Sequence, residues 1–401
     1  MTEMINLDSP KIGSIEKKYM IRCLDSTFVS THGPYVHEFE SGFGKVIGSV
    51  NTVALQSGTA GLHMALHEAG IGPGDEVIVP ALTFSATANA VKYVGAEPVF
   101  VDVDPVTWNM EPLLLKKAIT AKTKGIIPVH LYGNPCSMDD ILFLSNEHGL
   151  IIIEDATESL GSSYGGKSCG TIGDFGVFSF NGNKMITTGG GGMLTAKSGE
   201  HADHIKFLVN QARDDKRGYY YPEIGFNYRM TNLEASLGLA QLERLTDFIE
   251  IKKSTHRIYE EIFSDIPGIK LQKPCDNADS VWWLSSIVIE YPDNGLDIPR
   301  IQQLLKEKKI PTRRIFMPLV ESPPYAEPEG RKKYPNSYYI YDNGLSLPSS
   351  TLNTESDISY VAETMVNIIK GKNTSYHTAS MAGNKISDID QENVNHDLCR
   401  I

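Results

Sequence analysis

The feature that most constrains the fold is a regular alternation of short apolar segments and helical patterns between residues 50 and 192. Four apolar segments read as strands: EVIVP (76–80), PVFVDV (98–103), GIIPVH (125–130) and LIIIED (150–155). Their runs of Val and Ile are typical of strands that are buried on both faces. The stretches between them have helical patterns and end in Gly or in turn residues. This alternation predicts an α/β fold with a central, mostly parallel sheet.

The second half of the chain predicts one long helix followed by a different set of elements. From Asn232 to about Ile262 apolar residues recur at helical spacing, and Thr231 with Glu234 forms a capping-box pattern at the start. Beyond residue 274 the stretch VWWLSSIVIEY reads as a strand and PRIQQLLKEKK as a helix, and a Pro-rich loop follows.

The length of 401 residues exceeds what one core usually organises, so we expect two domains. A large domain should cover residues 1–262, including the N-terminal segment and the linking helix. A smaller C-terminal α/β domain should cover residues 263–370. Residues 371–401 are polar and predict a mobile tail.

The composition excludes several classes of protein. The chain carries 37 basic and 49 acidic residues, a net charge of -12, which argues against a protein that coats nucleic acid. No apolar run reaches the length of a membrane span, and the N-terminus lacks the pattern of a secretory signal. The five cysteines are scattered and lack metal-type spacing, so we expect a cytoplasmic protein with reduced thiols and no metal site.

The first motif that carries chemistry is SGTAGLHMAL, from Ser57 to Leu66. A Ser-Gly-Thr turn that opens an apolar helix offers backbone N–H groups and a hydroxyl to an anion at the helix N-terminus. Gly58 and Thr59 are therefore candidates for binding a phosphate. The alternative is a helix cap without a ligand.

The second motif is Asp155, which closes the strand LIIIED. A carboxylate at the C-terminal end of a parallel strand lies where open α/β sheets bind ligands. The alternative is an Asp that caps a following helix.

The third motif is GDFGVFSFNGNKMITTGGGGML, in which an apolar strand leads through Asn181 and Gly182 to Lys184. The strand end would lift Lys184 into the same cleft as Asp155, where a partly buried amine is suited to nucleophilic chemistry. Ser179 would add a hydroxyl for an anion. The alternative is a surface lysine beside a glycine-rich hairpin.

The fourth motif is IGFNYRMTNLEASLG, from Ile224 to Gly238, which places Asn227 and Arg229 in a loop before the long helix. One interpretation is structural, with Asn227 in a turn and Arg229 in an ion pair. The other is an arm that reaches into the active site of a partner subunit.

In this order the motifs resemble the DegT/DnrJ/StrS family of sugar aminotransferases, which depend on pyridoxal 5′-phosphate (PLP). The resemblance covers roughly the first 350 residues and rests on SGTAGL, PALTFSATANAV, HLYG, EDATESLGSSYGG, GDFGVFSFNGNKMITTGGGGML and GFNYRMTNLEASLG. It implies the fold of type I PLP-dependent aminotransferases and a homodimer with shared active sites.

The resemblance also implies roles for single residues. Lys184 would bind the cofactor as a Schiff base and then carry a proton, while Asp155 would pair with the pyridine nitrogen. Glu158 lies where the family often has Gln or His near the 3-hydroxyl of the cofactor. The remaining contacts implied are the phosphate ligands Gly58, Thr59 and Ser179, Asn227 from the second subunit, and Phe84 stacked on the ring. The alternative for Phe84 is a core aromatic residue.

The implied reaction moves the amino group of L-glutamate to a nucleotide-linked keto sugar, for bacterial surface glycan synthesis. The N-terminal VSTHGPYVHEFE and the FNGNK form resemble the subgroup that makes 4-amino sugars for legionaminic acid or bacillosamine. We therefore expect amination at C4 of a 4-keto-6-deoxy sugar, with the UDP-linked 2-acetamido form ahead of GDP-linked forms. The candidates for contacting these substrates are His130, Arg229, Arg313 and Arg314, each with a structural ion pair as the alternative.

Three rival interpretations remain, and a fourth is discounted. A C3-specific aminotransferase would share every motif. A dehydratase of the same fold would carry His in place of Lys184, and a non-catalytic ligand-binding regulator would have lost Lys184 or Asp155. A Rossmann oxidoreductase would need a G-x-G-x-x-G turn after the first strand, which this sequence lacks.

Overall fold

The computed structural model describes residues 5–214, 216–290 and 295–371. The tail predicted over 371–401 lies outside the described residues, apart from Gly371. Among the described helices, none has both the length and the apolar character needed to cross a bilayer.

The centre of the structure is a seven-stranded sheet in which one strand runs against the other six. Its strands are β1 (Thr52–Leu55), β2 (Glu76–Pro80), β3 (Glu97–Val101), β4 (Thr123–Ile126), β5 (Ile151–Asp155), β8 (Phe175–Ser179) and the antiparallel β9 (Gly192–Ala196). Their spatial order is β1-β9-β8-β5-β4-β2-β3. The four predicted strands are therefore present, with ends that differ by at most a few residues, and the α/β class with a mostly parallel sheet is confirmed.

The helices of this part pack on the sheet and on one another. Residues 58–68 form a helix against β8 and β9, because its apolar side chains are buried on nearly every turn. The helices are α1 (Ser14–Asp25), α2 (Pro34–Ile47), α3 (Gly58–Glu68), α4 (Ser85–Tyr93), α5 (Pro112–Ala118), α6 (Met138–His148), α7 (Gly199–Val209), α8 (Asn232–Leu242) and α9 (Leu245–Phe263).

The helix predicted as continuous from Asn232 is two helices, α8 and α9. The Thr231–Glu234 capping box at its start is present. The break falls at Arg244, whose φ is -110° and ψ 3°. Its guanidinium donates to the Glu16 carboxylate at 2.8 Å and to the Lys11 carbonyl at 3.2 Å. This tertiary contact with the N-terminal segment overrides the local helical pattern, so the prediction of one long helix was wrong.

The C-terminal elements form a four-stranded antiparallel sheet in the order β10-β12-β14-β13. Its strands are β10 (Ile269–Leu271), β12 (Ser286–Ile289), β13 (Arg313–Arg314) and β14 (Gly344–Ser346). The helices of this region are α10 (Ile298–Glu307), α11 (Gly330–Lys333), α12 (Pro335–Asn343) and α13 (Glu355–Ile369). Three short strands, β6 (Ser163–Tyr164), β7 (Lys167–Ser168) and β11 (Ala278–Asp279), form a separate small sheet.

A hydrophobic cluster lies under this C-terminal sheet. It joins side chains of α10 and α13 with Tyr259 and Phe263 of α9. Ile5, the first described residue, also belongs to it and so packs with the C-terminal part. The predicted division at residue 262 stays a proposal. The strand predicted over residues 281–291 is shorter, because β12 begins only at Ser286 and Trp282 has a φ of 53°.

Candidate active site

Lys184 lies in a turn after β8, where its amide donates to the Asn181 carbonyl at 2.9 Å. Its side chain is 14% exposed, which excludes the surface-lysine alternative. The Nζ atom is 3.4 Å from Oε1 of Glu158 and 4.0 Å from the centroid of the Trp283 ring. The amine is therefore held between a carboxylate and an indole face inside the cleft.

Asp155 ends β5, which is paired in parallel with β8. Its carboxylate is buried and accepts hydrogen bonds from two hydroxyls, Thr87 at 2.8 Å and Thr157 at 2.7 Å. Residues 156–160 form turns and not a helix, so the helix-cap alternative fails. The two hydroxyls fix the carboxylate at the C-terminal edge of the sheet, where it can hold a cationic ring nitrogen.

Glu158 is buried three residues beyond Asp155 and faces Lys184. Its Oε2 accepts the amide N–H of Tyr132 at 2.9 Å. Burial raises the pKa of Glu158 above its usual range, although the Lys184 amine and the Tyr132 amide act in the opposite direction. Glu158 therefore keeps its proton up to a higher pH than an exposed carboxyl group does.

The anion-binding turn and the strand β8 meet at Gly58. A Cβ atom at Gly58 would lie 3.0 Å from Cγ2 of Thr157 and 3.2 Å from Cβ of Ser179, so only glycine fits without displacement. Ser57 caps α3 by accepting the Ala60 amide at 3.1 Å, as the plain-cap alternative required. Thr59 at the start of the helix is half-buried, and a helix N-terminus presents backbone amides to an anion. This cradle of amides and hydroxyls fits the phosphate of PLP.

Phe84 precedes α4, the helix that carries Thr87. Its side chain is 58% exposed, so it is not the core residue of the alternative interpretation. Its ring lies 5.8 Å from that of Phe316, which lies 5.3 Å from Tyr132. Phe84 therefore offers an open aromatic face at one end of a row of three rings. The other end of the row is Tyr132, whose amide donates to Glu158.

His130 does not face a substrate, and that prediction needs correction. The residue is fully buried, its Nε2 lies 3.0 Å from Oε2 of Glu154, and its Nδ1 accepts the Cys136 amide at 3.0 Å. Both ring nitrogens are therefore engaged. Glu154 also accepts three backbone amides of residues 170–173, so the pair ties β5 to the loop before β8.

Arg229 and Asn227 lie in the segment before α8. The Arg229 guanidinium donates to the side chain of Asn210 at 3.1 Å and to the Thr31 carbonyl. These contacts favour the structural alternative for Arg229. Asn227 is exposed and forms a backbone bridge with Asn210, so its side chain extends from the surface of the chain.

The two arginines of β13 differ in environment because neighbouring residues of a strand point to opposite faces. Arg314 donates to the Tyr341 carbonyl at 2.6 Å and lies over the Tyr341 ring, so the structure favours its structural role. Arg313 interacts electrostatically with Asp8 and Tyr132. Asp8 also interacts with Lys184, so Arg313 belongs to the surroundings of the cleft.

Sequence reasoning missed four residues that shape this cleft. Thr87 and Thr157 lie within the segments PALTFSATANAV and EDATESLGSSYGG, and both donate to Asp155. A buried carboxylate at a strand end needs hydrogen-bond donors, and that need was the signal that could have pointed to these hydroxyls. Tyr132 lies within HLYG and has a φ of 56°. Trp283 was interpreted as part of a strand, and no local pattern connects it with Lys184.

Comparisons with known proteins agree with this geometry. The model of the DegT/DnrJ/EryC1/StrS aminotransferase family matches residues 10–366. The chain is 41% identical over 362 residues to a GDP-perosamine synthase of Caulobacter vibrioides, covering 89% of this chain and 96% of that protein. It is 38% identical over 356 residues to a GDP-perosamine synthase of Escherichia coli O157:H7, with coverage of 89% and 96%.

Among solved structures, Spr1654 of Streptococcus pneumoniae in its PLP-form superposes with a TM-score of 0.85 at 28% identity. The match covers 92% of this chain and 100% of that chain. The cleft has the amine, the carboxylate and the phosphate cradle that such a cofactor needs. The chain therefore belongs to the DegT/DnrJ/EryC1/StrS aminotransferase family, as an enzyme that uses PLP to aminate a sugar.

Proposed function

We propose that this enzyme transfers the amino group of L-glutamate to C4 of a nucleotide-linked 4-keto-6-deoxy sugar. The observation that carries the proposal is the placement of Lys184, Glu158 and Asp155 in one cleft, next to the cradle around Gly58. When bound, PLP supplies the carbonyl carbon that carries the amino group and a ring that withdraws electrons.

The chain's own residues divide the remaining work. Gly58, Thr59 and Ser179 hold the phosphate, and Asp155 keeps the ring nitrogen protonated. The Lys184 amine binds the cofactor and, once free, takes and returns a proton. Glu158 lies 3.4 Å from that amine and offers a second protonatable group, while Phe84 provides a stacking face.

The nucleotide is better supported as GDP than as UDP. Two relatives that match about nine-tenths of the chain are named GDP-perosamine synthase, which favours a GDP-linked sugar and amination at C4. The UDP-linked 2-acetamido sugar of the legionaminic acid or bacillosamine type stays as the second candidate. A C3-keto sugar remains the regiochemical alternative. In each case the product is an amino sugar for a surface polysaccharide.

The substrate side is proposed to include a second copy of the chain. Asn227 is exposed, so its side chain is available to a second copy of the chain. We assign it to the phosphate site of the partner in a homodimer. Arg313 is the remaining candidate for the glutamate carboxylate or the sugar pyrophosphate, because Arg314, Arg229 and His130 are engaged elsewhere.

The test is a transamination assay with labelled L-glutamate and a matched set of GDP- and UDP-linked 4-keto-6-deoxy sugars. Product NMR should show a new amine at C4, with turnover of the GDP-linked ketone at least about tenfold above the UDP-linked one. Labelled amine at C3 would overturn the regiochemistry, and preferred turnover of the UDP-linked ketone would overturn the nucleotide. Absence of label transfer from glutamate to any sugar, in protein that binds PLP, would overturn the function.

A further inference from the structure

Trp283 lies against the reacting amine, although nothing in its sequence context connects it with Lys184. The Nζ atom of Lys184 is 4.0 Å from the centroid of the indole ring, which is well within the range of a cation–π contact. The indole is 2% exposed and the lysine side chain 14% exposed, so water screens this contact little.

Trp283 is held through both its side chain and its backbone. The indole Nε1 donates to the carbonyl of Asn183, the residue before Lys184, at 2.7 Å. The backbone carbonyl of Trp283 accepts a hydrogen bond from the buried Nζ of Lys252 at 2.7 Å, and Lys252 pairs with Asp8 at 2.6 Å. The ring also lies 6.3 Å from that of Tyr132, whose amide hydrogen bonds Glu158. Trp283 thus binds the backbone just before Lys184 and lies beside the residue whose amide binds Glu158.

The backbone before Trp283 has an uncommon conformation that the surrounding structure must hold. Trp282 has a φ of 53°, a left-handed value that bulky residues rarely adopt. Its ring stacks on the imidazole of His256 at 3.9 Å between centroids and 7° between planes. Burial lowers the pKa of His256 to about 3, so this stack is between neutral rings. The strained residue turns the chain so that Trp283 faces the cleft.

We infer that Trp283 is a positioning residue for Lys184. Its indole face holds the lysine amine in place and stabilises the ammonium form of that amine. The inference rests on the proposed function, in which the freed amine takes a proton. An amine that accepts a proton becomes a cation, and the negative face of the indole then attracts it more strongly than it attracts the neutral amine. Glu158 faces the same atom from the other side, so the two groups share the stabilisation.

The charged groups around Lys184 come from several elements. Glu158 lies beside it, Asp155 at the end of β5 interacts electrostatically with Glu158, and Asp8 of the N-terminal segment interacts electrostatically with Lys184. Replacing Trp283 leaves all of these charged residues in the chain. A comparison of Trp283→Leu with Trp283→Phe therefore isolates the effect of the aromatic face on the Lys184 amine.

The experiment is competitive acetylation of the full-length protein freed of cofactor, over a pH series, with the Lys184 peptide quantified by mass spectrometry. Exposed Lys197 serves as the internal reference. Only a neutral amine reacts, so Trp283→Leu should raise the acetylation of Lys184 near neutral pH by roughly fivefold to tenfold. Its pH profile should move to lower pH. Trp283→Phe keeps an aromatic face and should restore most of the original profile.

Trp108→Leu is the matched control. Trp108 is equally buried in the same cluster and also lies beside Tyr132, but not over the amine. It should lower the thermal midpoint about as much as Trp283→Leu does and leave the Lys184 profile in place. If the substitution only made Lys184 more accessible to the reagent, the acetylation rate would rise by the same factor at every pH. The pH profile would then stay in place.

An unmoved profile in Trp283→Leu, or an equal movement in Trp108→Leu, would overturn the inference. The measurement uses neither sugar nor glutamate. A failure of the transamination assay therefore leaves this result readable, and a failure here leaves the proposed reaction standing.

Discussion

The candidate site has a buried side, with Asp155 and Lys184, and an exposed side, with Phe84 and Asn227. The protein holds the side chains of these two sides in different ways. Asp155 is buried with two hydroxyls on its carboxylate, and Lys184 is confined between Glu158 and Trp283. Phe84, by contrast, is 58% exposed, and Asn227 extends from the surface. The groups that we propose for proton chemistry are preorganised within one chain. The groups that we propose to enclose the cofactor and the sugar are left open to ligands and to a second copy.

The largest effect should come from Lys184→Ala, which removes the amine of the preorganised side. We expect a loss of transamination of about 10⁴-fold or more, because both the covalent contact and the proton carrier disappear. Borohydride should no longer trap cofactor on the protein. Lys197→Ala is the control, since Lys197 is highly exposed and interacts only weakly with Asp174 at 4.0 Å. Undiminished trapping in Lys184→Ala would place the covalent site elsewhere.

Asp155→Asn should have the next largest effect. The amide keeps the shape of the side chain and one acceptor, but it no longer favours a protonated ring nitrogen. We expect a fall in turnover of roughly 10²–10⁴-fold with PLP still bound. Thr87→Val removes one of the two hydroxyls on the same carboxylate and should cost far less, about tenfold or below. Equal losses in the two variants would show that the carboxylate acts mainly through its hydrogen bonds to the protein.

The placement of Asp155 and Lys184 in one cleft could be predicted because their signal is local. Each follows a run of apolar residues that only a buried strand explains, and parallel strands end at one edge of a sheet. The same holds for the strands themselves and for the capping box of α8. These features depend on neighbours within a few residues, which the sequence displays directly.

What could not be predicted depends on contacts between distant parts of the chain. The helix break at Arg244 follows from a bond to Glu16, more than two hundred residues away. His130 looked like a ligand group because its burial against Glu154 is invisible in the sequence. Trp283 meets Lys184 only because the C-terminal region returns to the sheet. Tertiary contacts decided each of these cases.

Glu158→Gln sharpens the comparison through the pH dependence of stability. The pKa of Glu158 is raised above the usual 4.5, so the folded state binds more protons than the unfolded state between these two values. Stability therefore falls as pH rises through that interval, and wild type carries a penalty at neutral pH. Glutamine carries none. The thermal midpoint of Glu158→Gln should exceed that of wild type by about 1–3 °C near neutral pH, and the difference should vanish toward pH 4.

Glu16→Gln is the opposite control for that experiment. Burial alone would raise the pKa of Glu16, but hydrogen bonds from Arg244, from backbone amides and from Gln241 lower it overall. Such a group contributes stability above its usual pKa and loses it as pH falls. Glu16→Gln should therefore lower the midpoint at neutral pH, with a deficit that shrinks in acid. Two variants that shift in the same direction would contradict the assigned protonation states.

The smallest effect should come from Phe84→Leu, on the exposed side. Leucine keeps apolar area but lacks the aromatic face, so PLP affinity should weaken by about three- to tenfold, as expected for one lost stacking contact. Fluorescence titration of cofactor-free protein measures it. Phe143→Leu, at a similarly exposed phenylalanine on α6, should leave the affinity unchanged. If Phe84→Leu instead retains the affinity and alters the oligomeric state, its exposed ring serves the second copy. The open side of the cleft would then be closed by protein and not by cofactor.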